Sequence, residues 1–140
     1  MTDPRTNAAA LILRISLGTM FIAHALLKYF VFTLPGTAQF FESLGLPGAL
    51  GYATFAAELV GGGLLILGVQ TRVVALALVP VLLGATWVHA GNGWLFTSPK
   101  GGWEYPAFWT VALIVQALLG DGAFAFRGTG PSRRNALVAG

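Results

Sequence analysis

Four long apolar runs take up most of this 140-residue chain and leave it little choice but to cross a membrane. They extend from about Ala8 to Phe32, Ala49 to Val69, Arg72 to His89 and Pro106 to Phe126. Each is close to the roughly 20 residues that, at a rise of about 1.5 Å, cross a hydrocarbon core about 30 Å thick. Charged residues are only 9% of the chain and apolar ones 56%, which excludes an ordinary soluble domain. The expected architecture is therefore all-α: one integral-membrane domain over residues 1–140, built as a four-helix bundle, with the tail 127–140 flexible.

Several function classes fall away on composition alone. The chain has no cysteine, which removes disulfides, thiol catalysis and thiolate metal ligation. Arg14 interrupts what would be the h-region of a signal peptide, so the amino end reads as a retained helix. The net charge of +3 comes from Arg5, Arg72, Arg127, Arg133 and Arg134, not from a basic soluble face, so nucleic acid is not an expected partner. Those arginines all lie on one side of the helices. The other two connections carry Lys28 with Glu42 and Lys100 with Glu104, whose charges roughly cancel. The positive-inside rule then puts both termini in the cytoplasm and the protein in the inner (plasma) membrane.

The connections add detail. Gly68-Val69-Gln70-Thr71-Arg72 is short enough to make its two helices an antiparallel neighbouring pair, with Gly68 ending one and Thr71 capping the next. The first outer connection breaks at Pro35-Gly36, and Phe40, Phe41 and Leu44 share a face that suits a short helix in the interface. The other is rich in glycine and aromatics: Trp94, Phe96, Trp103, Tyr105 and Trp109 read as an interfacial belt. The two long loops could form a lid. Gly61-Gly62-Gly63 reads as a place of close backbone approach, within the bundle or against a second copy.

Polar groups inside the apolar runs are the candidates for function, because each costs about 2.5 to 3.5 kcal/mol at mid-bilayer unless it meets a partner or a wet cavity. Counting about 1.5 Å per residue puts Arg14 at about 9 Å, with Glu58 and Gln116 at about 15 Å. His24 and His89 then fall at about 25 Å, and Lys28 at about 30 Å, near Glu104. Two tiers result: Arg14, Glu58 and Gln116 below, and His24, Lys28, His89 and Glu104 above. The structural alternatives are an Arg14–Glu58 pair that sets helix register, Lys28 snorkelling to the surface, histidines bonded to backbone carbonyls, and Gln116 as an interhelical bond.

Three chemistries suit the upper tier. Haem between His24 and His89 has no other feature in its support, and a metal on His24, His89 and Glu58 is disfavoured by the depth gap between the histidines and Glu58. A quinone or similar lipophilic molecule fits better. It needs hydrogen-bond donors, a route for protons and aromatic walls. The expected catalytic set is Glu58, His24 and His89. The expected binding set is Arg14, Glu58, Lys28, Trp87, Trp103, Glu104 and Gln116, with no metal.

The segments RISLGTMFIAHALLK, AELVGGGLLILGVQTR and GGWEYP resemble the DoxX family of small four-helix membrane proteins. The resemblance rests on Arg14, Gly18, His24, Lys28, Glu58, Gly61, Gly62, Gly68, Thr71, Arg72, Gly101, Gly102, Glu104 and Tyr105. Ala25 departs from a glycine often found after the histidine. The family is named for a membrane subunit of an archaeal thiosulfate:quinone oxidoreductase, and other members are associated with respiratory redox or oxidative-stress defence. The resemblance thus implies a redox-linked subunit with quinone as cofactor and an oxidoreductase partner. The alternative is a non-catalytic anchor or scaffold for such a partner. Self-association within the lipid bilayer is compatible with either.

Overall fold

The computed structural model describes residues 3–126. Arg127, Arg133 and Arg134 and the expectation of a flexible tail lie outside the described residues. Within them the chain is all-helical, with five helices: α1 (Pro4–Phe30), α2 (Leu34–Ser43), α3 (Ala49–Leu67), α4 (Thr71–His89) and α5 (Glu104–Leu119). A 3-10 turn, Ala90–Asn92, extends α4. Three helices are long and apolar enough to cross a membrane, while α5 has only 16 residues. We call proximal the end where α1 begins and α5 finishes, and distal the opposite end. The start of α1 and the segment after α5 meet at the proximal end, where Ala123 N donates to Asn7 O (3.1 Å).

Local signals set the helix limits. α1 begins earlier than its apolar run because Asp3 accepts from Arg5 N (3.2 Å) and Pro4 fits the first turn. Pro35 opens α2 instead of breaking the chain: Thr33 is its cap, and Thr33 Oγ1 accepts from Gly36 N (3.1 Å). The short interfacial helix expected around Phe40 and Phe41 is present. Gly68 ends α3 in the left-handed conformation (φ 73°), as expected. Thr71 does not cap α4; it is the first helical residue, and its N–H donates to Asp121 Oδ1 (3.2 Å). α5 stops at Leu119, seven residues short of the expected end, because Gly120 turns to φ 85°. The apolar run continues, but as a non-helical strap over residues 120–126.

α3 and α4 touch across their short link, yet each packs more extensively elsewhere, α3 on α1 and α4 on α5. α1 and α5 close the ring around Leu17, Phe21, Leu65, Leu78 and Leu113, all buried. The glycine run divides its faces among these contacts. Gly62 meets α1 at Gly18, Gly61 faces Leu78 of α4, and Gly63 faces open space. A Cβ on Gly62 would lie 2.8 Å from Gly18 O, which is backbone and cannot turn aside. Gly62→Val should therefore cost about 2 kcal/mol. Gly63→Ala, with nothing within 4 Å of the new carbon, should be neutral or slightly stabilising. Thermal unfolding of the two variants checks this contrast.

Candidate functional site

The structure regroups the two expected tiers. Glu58 does not meet Arg14; it pairs with Lys28, whose Nζ donates to Glu58 Oε1 (3.0 Å) and Oε2 (2.8 Å). The Lys28 and Glu58 side chains are 18% and 7% exposed, so Lys28 turns inward rather than snorkelling to the surface. Helix geometry explains how residues at different heights meet. Measured from the Gly18–Gly62 crossing, Lys28 lies about 15 Å along α1 and Glu58 about 6 Å along α3 in the same distal direction. Side chains lean toward the N-terminus of their own helix. The two helices are antiparallel, so Lys28 leans back toward the proximal end while Glu58 leans forward, and their stems close the gap of about 9 Å.

His24, one turn before Lys28 on α1, completes the distal cluster and lies within electrostatic reach of Glu58. Its Nδ1 bonds Met20 O (2.9 Å), which leaves Nε2 as the nitrogen that can face a further partner. The ring rests against Trp109 (centroids 4.8 Å, edge to face) and Tyr105 (6.4 Å, stacked), both from α5. Trp109 is 5% exposed, packed on Phe21 at 4.6 Å, and its indole N–H has no hydrogen-bond partner among the described residues. Lys28, Glu58, His24, Tyr105 and Trp109 thus form one polar and aromatic nest drawn from α1, α3 and α5.

Trp109 is the residue that sequence reasoning misplaced, since it was assigned to the interfacial belt. The signal was available. Pro106, Trp109, Thr110, Leu113, Gln116 and Ala117 recur at helical spacing, and all are buried. Tyr105 precedes Trp109 by one turn and stands at the rim.

The other candidates lie elsewhere. His89 bonds Ala85 O through Nδ1 (2.7 Å) and faces Gly101 of the distal loop. Trp87 is 60% exposed on the outside of α4. Trp103 packs edge-on against Trp94 (4.4 Å), and Glu104 Oε1 accepts from Phe96 N (2.9 Å), so both residues hold the loop between α4 and α5 closed. Trp94, Phe96, Glu104, Tyr105 and Phe108 line an open groove of about 370 Å³ at this rim. Tyr105 therefore belongs both to the groove and to the nest. No group of three His, Asp or Glu side chains suited to a metal gathers among the described residues.

Arg14 and Gln116 belong to the proximal end. Arg14 Nη1 donates to Asp121 O (2.8 Å) and Nη2 to Ala123 O (3.1 Å), so this buried guanidinium holds the strap and not Glu58. Gln116 Nε2 donates to Gly120 O (2.9 Å). The apolar layer of Leu17, Phe21, Leu65 and Leu113 separates this joint from the Lys28–Glu58 pair.

Comparison with known proteins gives a family for the chain. The DoxX family profile matches residues 9–91, which contain Arg14, His24, Lys28, Glu58 and His89, and ends before the GGWEYP segment. A protein of Bacillus subtilis (strain 168) named "Putative oxidoreductase CatD" is 41% identical over 75 residues, covering 54% of this chain and 54% of that protein. The likeness thus spans about half the length of that relative. No solved structure matches. With more than half of its residues inside the family match, and with apolar helices able to span a membrane, this chain belongs to the DoxX family.

Proposed function

We propose that the protein is a redox-linked subunit of the plasma membrane that binds a quinone, or a lipophilic molecule of similar chemistry, in the distal half of its bundle. The proximal end would face the cytoplasm, by the excess of arginine there. One observation carries the reading. An ion pair sits in an apolar bundle beside a histidine and a buried indole N–H that lacks an acceptor. A carbonyl oxygen is the acceptor such a donor needs, and flat aromatic walls suit a ring.

In this reading the ring enters by the groove of Trp94, Phe96 and Phe108, with Tyr105 as the wall shared between groove and nest. Trp109 Nε1 would donate to a carbonyl oxygen. His24, whose Nδ1–H is given to Met20 O, would donate from Nε2 once that nitrogen has taken a proton from the Lys28–Glu58 pair. Glu58 and Lys28 hold a proton between them and pass it through His24. A bound quinone would take two electrons from an oxidoreductase partner and two protons by this route, the pair being reprotonated from water between the first and the second. His89, Trp87, Trp103 and Glu104 shape and close the rim, while Arg14 and Gln116 act at a distance through packing. The relative's printed name is compatible with such a role.

Glu58→Gln tests it, because the change keeps size and hydrogen bonding but removes the charge and the proton. Protein purified gently in mild detergent should carry quinone, seen by native mass spectrometry and organic extraction, and E58Q should carry at least tenfold less at similar folded content. Bulk phospholipid alone in both samples would reject the binding reading. The chain would then be better described as an anchor for its partner.

A further inference from the structure

Among the described residues, three buried side chains at the proximal joint each leave one polar atom without a partner. They are Arg14 Nε, Thr71 Oγ1 and Gln116 Oε1, from α1, α4 and α5, on residues at most 1% exposed. All three residues converge on the same two neighbours. Arg14 binds Asp121 O, the Thr71 amide binds Asp121 Oδ1, and Gln116 Nε2 binds Gly120 O. Native proteins rarely leave one such atom dry, and here three belong to residues around one peptide.

We propose that the Gly120–Asp121 joint encloses ordered water, with Thr71 Oγ1 as one of its ligands. The three orphan atoms are a donor, a hydroxyl that can do either, and an acceptor, which is the set that a water making about three hydrogen bonds can satisfy. An anion fits worse. The Arg14 charge already faces Asp121, and Gln116 Oε1 would point a lone pair at the anion. That amide is oriented by its bond to Gly120 O, so it cannot turn its donor inward without losing the bond. A cation would meet the N–H donor and the positive charge of the Arg14 guanidinium. The joint thus joins three helices through water as well as through direct bonds, and it is independent of the distal site.

Thr71→Val decides the matter by the sign of its effect. Val has the same shape, and the Thr71 amide bond to Asp121 is backbone and survives. If Oγ1 is dry and unpartnered, removing it relieves a buried polar group and the melting temperature stays level or rises. If it holds water, the melting temperature should fall by about 3 °C, and Thr71→Ser should recover most of the loss. A high-resolution structure of the full chain in lipid should show solvent density within about 3 Å of Thr71 Oγ1, and T71V should lack it. A level or raised melting temperature overturns the proposal. So does an empty joint, or a protein atom in place of the solvent, even if T71V is destabilised.

Discussion

Replacing Lys28 by methionine should lower the stability of the protein by about 3 kcal/mol, and replacing Glu58 by methionine as well should restore most of it. The single variant leaves a carboxylate facing an apolar bundle with its cation gone. The other side chain with an electrostatic influence on Glu58 is His24, whose Nδ1 is committed to Met20 O. The double variant removes both charges and refills the volume with flexible apolar side chains. Equilibrium unfolding of the wild type, both single variants and the double variant gives the coupling energy. A double variant as unstable as K28M would mean that the pair itself contributes strongly to stability. A double variant near the wild type would mean that the pair is retained at little gain in stability, and its reason must then be sought in the nest it completes. The recovered double variant is also the cleanest sample in which to ask whether quinone retention is lost from a folded bundle.

That pairing marks the limit of what was legible in the chain. Lys28, Glu58 and His24 were each visible as polar intrusions in apolar runs, and the class of fold followed from the runs themselves. What failed was height. Counting from helix ends treats side chains as points on the axis, but Lys28 and Glu58 lean toward each other on antiparallel helices and meet across about 9 Å of axial offset. The same counting put Arg14 in one tier with Glu58, although a layer of Leu and Phe side chains separates the two. The depth of a long polar side chain becomes readable only once a crossing point such as Gly18–Gly62 is known.

The end of the bundle shows a different limit. Residues 120–126 are apolar enough to extend a helix, and hydropathy alone cannot tell a final turn from a strap. Gly120 and Gly122 were the local punctuation, both at positive φ, and they outweighed the apolar run. Arg14 then became legible as a structural residue, because a buried guanidinium needs acceptors and the strap supplies carbonyl oxygens. Trp109 was misassigned for a related reason. Its residue type suggests the interface, but its helical spacing with Leu113 and Gln116 places it inside.

Arg14→Met should produce a loss of about 3 to 4 kcal/mol, the largest of any single substitution at the proximal end. Two carbonyl oxygens, of Asp121 and Ala123, would lose a charged donor at a buried joint. The effect should spread along the strap. Ala123 N and Phe126 N bond to Asn7 O and Leu67 O, and those bonds hold only while Arg14 keeps the turn in place. Hydrogen exchange at these two amides should accelerate by a hundredfold or more, while the Lys28–Glu58 region keeps its protection. Arg14→Lys should fall between, because one ammonium cannot hold two carbonyls with the fixed fork of a guanidinium. Gly68 makes the site unforgiving in the other direction, since a Cβ there would collide with the Arg14 guanidinium. If R14M instead leaves the strap protected and weakens the distal nest, coupling runs through the apolar layer, and Arg14 belongs functionally with Glu58 despite their separation.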